Sequence, residues 1–212
     1  PPAAAVPAAV RASAFHLRRV LADQPRPQAG AVDDLAEKLT AAERAAADGD
    51  EHALARTLPD LIAAADAAMA TAAGRVQEQA RSLRIRAHVV AAGLLRRLGY
   101  TDLAWMLLHR ARPGESEPAL VLVEEVRLLL AMGLPEFALA RAERARAAGA
   151  GGDVVLLESF AHAMAGRQHQ SQALLQRVEP AGDERWRALV HAARSAAALE
   201  AGQEELAAEL GA

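Results

Sequence analysis

Apolar residues recur along most of this chain at spacings of three and four, the signature of helices that bury one face. Near the start, Val10, Ala14, Leu17 and Leu21 keep that spacing and predict a helix over 7–22. Pro25, Pro27 and Gly30 then break it, so 1–30 reads as an N-terminal helix followed by a Pro/Gly linker. The pattern resumes over 31–48, with Asp33 and Asp34 near the positive end of the helix dipole and Gly49 as its stop. Pro59 predicts a second break, with a short helix before it and a new one over 59–73 that carries the proline in its first turn. A longer helix is predicted over 74–98, closed by Arg96, Arg97 and Gly99.

The stretch from Leu94 to Ala111 reads as a helix end, a tight turn at Gly99 and a second helix bearing Trp105. Helices joined this closely fold back on one another as an antiparallel hairpin. The same signal returns downstream. Gly99 precedes Ala104 by five residues, Gly133 precedes Ala138 by five, and Gly202 precedes Ala207 by five. The first two pairs are 34 residues apart, and Ala173 lies 35 beyond Ala138, with Gln168 where its unit should hold glycine. A helix, a turn and a second helix packed through a small residue, repeated at about 34 residues, is the pattern of stacked helical repeats.

These features resemble the tetratricopeptide repeat family over about residues 80–212, in four units of uneven quality. The best matched is the first, with Gly99, Ala104 and Ala111 at the family's turn and small-residue positions and Tyr100 close to its turn aromatic. The other units depart from it. His88, Leu122, Leu157 and His191 stand where the family favours an aromatic, and Pro118 and Pro135 start helices instead of closing units. The resemblance implies an all-α domain over 31–212 whose hairpins stack as a right-handed superhelix. A narrower likeness rests on Leu58-Pro-Asp-Leu-Ile62, Leu94-Leu-Arg-Arg-Leu-Gly99 and Asp102-Leu-Ala-Trp105. Over about 31–148 these resemble the C-terminal halves of actinobacterial helix-turn-helix regulators of the XRE class. That implies a sensory or interaction half, with DNA contacted only through a separate domain.

Composition narrows the picture further. Hydrophobic residues make up 52% but aromatics only 3%, so Ala, Leu and Val must build the core. No alternating strand pair flanks a turn signal, and the reading is all-α. A net charge of −3 argues against wrapping nucleic acid through bulk electrostatics. The chain has no cysteine, which removes disulfides and thiolate metal sites and fits a cytoplasmic setting. No uninterrupted apolar run is long enough to span a membrane, and no signal peptide is visible. The chain opens on Pro1 rather than Met, as a fragment of a longer protein would.

Candidate chemistry is sparse. Glu158 and His162 are four apart on one helical face, so the carboxylate could orient the imidazole for proton transfer, or the two could simply line a groove. The seven histidines form neither His-Glu-x-x-His nor Glu-x-x-His, and no metal or cofactor is expected. Gly149-Ala-Gly151-Gly152 follows a helix rather than a strand, so it reads as a helix end with Asp153 capping the next helix. Trp105 falls where it would pack between neighbouring repeats, while Trp186 near a helix start is harder to place.

In a repeat superhelix the first helix of each unit lines the concave face. That register offers Arg86 and Arg96, then Leu120, Glu124 and Arg127, then Glu158 and His162 as partner-binding positions. Leu189, Ala192 and Ala196 would add an apolar floor or a subunit interface. The expectation is a non-enzymatic domain without metal or cofactor, homodimeric in its regulator, that binds a protein, a peptide or a small signalling ligand. The alternative is a structural adaptor that joins proteins and senses nothing.

Overall fold

The computed structural model describes residues 15, 17–19, 32–112, 118–178, 184–200 and 202–204. Among them the secondary structure is helical, with no strand. The expected helix over 7–22 and its linker lie almost wholly outside the described residues, as does Ala207, and the side chain of Leu189 is outside them too. The chain divides into two units, Pro1–Ser116 and Glu117–Ala212. The first holds α1 (Val32–Ala47), α2 (Glu51–Thr71), α3 (Arg75–Arg97) and α4 (Thr101–Ala111). The second holds α5 (Ala119–Ala131), α6 (Pro135–Ala147), α7 (Asp153–Met164), α8 (Gln168–Arg177) and α9 (Glu184–Glu200).

One local device makes the hairpins. At Gly99 the backbone turns left-handed, with φ of 81°, a conformation that costs a residue with a Cβ about 1–2 kcal/mol. The Gly99 N–H donates to the Arg96 carbonyl at 3.0 Å, and the Tyr100 N–H to the Leu95 carbonyl at 2.9 Å. These two bonds satisfy carbonyls that the helix end leaves open. Tyr100 is also the N-cap of α4, its carbonyl accepting from the Ala104 N–H at 3.0 Å. A single residue therefore links the two helices' cap positions, and they must pack antiparallel.

The same bonding recurs at Gly133, where Leu134 donates to Leu129 and accepts from Ala138, and at Gly166, where Arg167 donates to His162 and accepts from Ser171. The third hairpin expected from the sequence thus turns at Gly166 and not at Gln168, which begins α8. Its small packing residue shifts accordingly. Ser171, five beyond Gly166, is fully buried like Ala104 and Ala138, while Ala173 is exposed. The turn glycine sets the register because the residue five beyond it is a fully buried position near the start of the following helix.

Within the first unit α1 packs on α2 and α3, α2 on α3, and α3 on α4. Leu39, Leu54, Leu58, Ile62, Leu94, Leu95, Leu107 and Leu108 are its largest fully buried apolar side chains from these helices, each contributing about 1.5–3 kcal/mol relative to exposure. Pro59 does not end a helix: α2 runs through it for 21 residues. An interior proline costs about 3 kcal/mol. The apolar stripe of Leu54, Leu58, Ile62 and Ala65 stays in phase across it, all buried, so the packed core holds both halves on one axis. Asp50 caps the start of α2, its Oδ1 accepting from the Ala53 N–H at 2.9 Å.

In the second unit α5 packs on α6, α6 on α7, and α7 on both α8 and α9. Small residues dominate where α5, α6 and α7 meet: Ala138, Ala142, Ala145 and Ala161 lie among Leu122, Val126 and Val154. A second cluster joins Leu156, Leu175, Val178, Val190 and Ala197, with Trp186 packed against it. A Cβ placed on Gly152 would stand 3.3 Å from Cη2 of Trp186, so the missing side chain makes room for the indole. Gly152, not Asp153, holds the N-cap position of α7. Asp153 is the first residue of the helix, where its charge favours the dipole.

Candidate functional site

Charged side chains sit inside this fold as well as on it. In the first unit Asp66 of α2 is buried on the same helical face as Ile62, four residues earlier. Arg84 and His88 of α3 share one face, and Arg110 comes from the last turn of α4. Arg84 Nε donates to Asp66 Oδ1 at 2.6 Å, and its Nη2 donates to the Arg110 carbonyl at 2.7 Å. Arg110 Nη2 ion-pairs with Asp66 Oδ2 at 3.0 Å. The cluster ties three helices together and neutralises a carboxylate that burial alone would not tolerate.

His88 is fully buried at the edge of this cluster. Its Nδ1 lies 2.8 Å from the Arg84 carbonyl, which assigns the proton to that nitrogen, and Nε2 has no hydrogen-bond partner. Burial lowers its pKa to about 4, against the opposing pull of Asp66. The imidazole is therefore neutral at physiological pH. Sequence reasoning passed over Asp66, although an acid in the apolar run of Ile62, Ala65 and Ala67 was a visible anomaly. What periodicity could not supply was the pair of arginines on two other helices.

The residues expected to line a binding face have partners of their own. Arg86 of α3 makes a two-pronged contact with Glu43 of α1, at 2.8 and 2.6 Å, and this hydrogen-bonded pairing raises its pKa. Arg96 is half-buried in the last turn of α3. Glu124 of α5 is buried and accepts from Arg127 at 3.2 Å, and Arg127 reaches on to Asp153 of α7 at 2.9 Å. The next residue, Glu125, is also buried and ion-pairs with Arg141 of α6 at 2.9 Å. Glu124 and Arg127 are thus brought together, and Asp153 joins them instead of capping its helix.

Glu158 and His162 are not brought together. Glu158 is buried and ion-pairs with Arg146 at 2.8 Å. Burial raises its pKa, partly offset by Arg146. His162 Nδ1 accepts from Arg167 Nε at 3.0 Å, and Arg167 pairs with Glu136 through both of its terminal nitrogens, at 2.7 and 3.0 Å. Desolvation and the neighbouring guanidinium lower the His162 pKa. With the acid and the imidazole each held by a different arginine, the dyad considered for proton transfer is not assembled.

No family model, curated protein or solved structure matches this chain. The site must speak for itself. Among the described residues no three His, Asp or Glu side chains group as metal ligands would, and no helix is long and apolar enough to cross a membrane. Trp105 is exposed within the first unit: α4 buries Leu103, Ala104, Leu107 and Leu108 and turns Trp105 and Met106 outward. Met132, Leu134 and Phe137 are likewise exposed around the Gly133 turn. A shallow groove of about 200 Å³ opens between α8 and α9, with Gln168, Gln172, Leu175 and Arg194 among its walls.

Proposed function

We propose that this chain is a non-enzymatic binding domain of tetratricopeptide-like hairpins, the sensory half of a cytoplasmic, homodimeric transcriptional regulator whose DNA contacts belong to a separate domain. The observation that carries the reading is the repeated turn. Gly99, Gly133 and Gly166 make the same left-handed, hydrogen-bonded hairpin turn 34 and 33 residues apart, and Gly202, left-handed as well, follows 36 residues later, while the left-handed Gly49, Gly74 and Gly149 fall outside that spacing. Hairpins with one turn geometry and one register are the units from which a right-handed superhelix is stacked. The ionisable groups support a binding role over catalysis, since Glu158, His162 and Asp66 are each engaged by arginine and do not converge with a nucleophile.

In this reading a protein, peptide or small ligand binds one arrangement of the hairpins better than another and shifts their populations by that difference in affinity. The attached DNA-binding domains respond to the shift. The test is the polypeptide encoded directly before Pro1, together with DNA retardation by the intact protein with and without added ligand. A helix-turn-helix there and ligand-dependent retardation support the proposal; their joint absence overturns it. A second reading, a protein–protein adaptor, is favoured by the exposed Met132, Leu134 and Phe137, which form an apolar end on one hairpin.

A further inference from the structure

Arg194 differs from the arginines described above. Arg84, Arg86, Arg127, Arg141, Arg146 and Arg167 all meet a carboxylate. Arg194, half-buried on α9, meets none among the described residues, and donates one long hydrogen bond of 3.5 Å from Nη2 to the Leu175 carbonyl. That carbonyl lies in the last turn of α8, so the contact serves as a helix C-terminal cap. A guanidinium has five N–H donors in a planar fork and cannot shed its charge. One long bond leaves most of that capacity unspent, and it faces a cavity.

The cavity is the groove of about 200 Å³ between α8 and α9. Gln168, Gln172 and Gln176 follow one another at four-residue steps along α8 and so share a face of that helix. Gln203 closes the groove beyond the end of α9. No other described side chain hydrogen-bonds to these four amides. Leu175, Ala197 and Ala198 are buried and supply the apolar floor. Among the described residues of the lining, Arg194 is the one that carries a charge.

We infer that this groove binds a small amphipathic carboxylate, with the carboxyl group on Arg194, the apolar body over Leu175, Ala197 and Ala198, and the glutamine amides reading a polar group of the ligand. The charge follows from the lining: a guanidinium with no carboxylate partner among the described residues selects an anion, and a planar carboxylate matches its fork. The apolar floor selects against a small inorganic anion, which would gain nothing from it. The glutamine amides offer both donors and acceptors, as recognition of an amide or hydroxyl in the ligand requires. The volume is below the roughly 300–1,000 Å³ of drug-sized sites, which sets the ligand near the size of an acylated amino acid. This names a ligand class for the binding-domain reading and rests on that part of it, not on the regulator part.

The experiment titrates the full chain with N-acetyl-leucine, N-acetyl-valine and N-acetyl-alanine and with the matching C-terminal amides, read by calorimetry and by amide shifts in nitrogen–proton correlation spectra. The acids are expected to bind about tenfold tighter than the amides, the worth of charge-assisted hydrogen bonds to one guanidinium. Shifts should centre on α8 and α9. Arg194→Gln should abolish the preference for acid over amide, and Arg194→Lys should retain part of it, with circular dichroism reporting that both variants stay helical. Equal binding of acids and amides would assign the groove to peptide backbone and overturn the proposal. Binding of neither series at millimolar concentration, or an unchanged preference in Arg194→Gln, would also overturn it. An upstream segment without a helix-turn-helix defeats the regulator reading and leaves this titration unaffected.

Discussion

His88 Nε2 stands 3.6 Å from Asp66 Oδ1 in the first unit, a buried imidazole beside a buried carboxylate that is held by Arg84 and Arg110 instead. The arginines take the carboxylate because they are permanent cations, whereas charging the imidazole would need desolvation of a second ion. The histidine is left neutral, in contact with an acid it does not bond.

The first prediction is a pH dependence. The folded pKa of His88 is lowered from 6.5 to about 4. Between those values the unfolded chain binds a proton that the folded chain refuses, so stability is full above pH 6.5 and falls as pH drops toward 4. The loss is on the order of 3 kcal/mol at the lower end. His162, also lowered, adds in the same sense. Urea unfolding between pH 7.5 and 4 should show the decline, and His88→Leu should flatten most of it. A profile as steep in that variant as in the parent would assign the dependence elsewhere.

Asp66 is the counter-charge for two guanidiniums, so Asp66→Asn should cost more than the loss of one hydrogen bond. Removing one partner of a buried ion pair costs about 3–5 kcal/mol, because the remaining charges are stranded. Thermal unfolding of Asp66→Asn should fall well below that of a surface control such as Asp34→Asn, whose exposed pair with Lys38 is worth under about 1 kcal/mol.

Glu158 carries the opposite sign. Its pKa is raised, chiefly by burial. The folded chain holds that proton more readily than the unfolded chain, so this group favours folding at low pH and the benefit is lost as pH rises through its folded pKa. Glu158→Gln should therefore leave stability at neutral pH unchanged or raised, by under about 1 kcal/mol once the partly exposed Arg146 is allowed for. A clear loss at pH 7 would show that the Arg146 pair outweighs the cost of burial.

At Gly133 the left-handed φ of 72° faces open space. Gly133→Ala meets no atom, so its cost is conformational alone, about 1–2 kcal/mol. Chemical denaturation measures it directly, and the far-ultraviolet spectrum should stay unchanged because the hairpin core is untouched.

The two tryptophans differ in exposure. Trp105 is 37% exposed, whereas Trp186 is packed beside Gly152 in a core cluster. Iodide should quench Trp186→Phe, which keeps only Trp105, more strongly than Trp105→Phe. The reverse order would show Trp105 covered in solution.

The helical class and most helix limits were legible in the order of residues. Three- and four-residue apolar spacing requires helices, and glycine after an apolar run ends them, because only glycine enters the left-handed turn without strain. The turns at Gly99 and Gly133 follow from that rule, and Gly166 obeys it where the 35-residue step from Ala138 to Ala173 pointed to Gln168. Local chemistry sufficed because those signals lie within about six residues.

Tertiary packing decided the rest. Whether Pro59 breaks a helix depends on whether the flanking leucines share a core, and they do. Whether Glu158 meets His162 depends on where Arg146 and Arg167 arrive from. The union of Asp66, Arg84 and Arg110 needs three helices in register, a property no single helix encodes. Sequence periodicity determines which face of a helix is buried, but only the packed fold determines which charged groups are buried opposite one another, since their pairing energy exists only once water has been excluded.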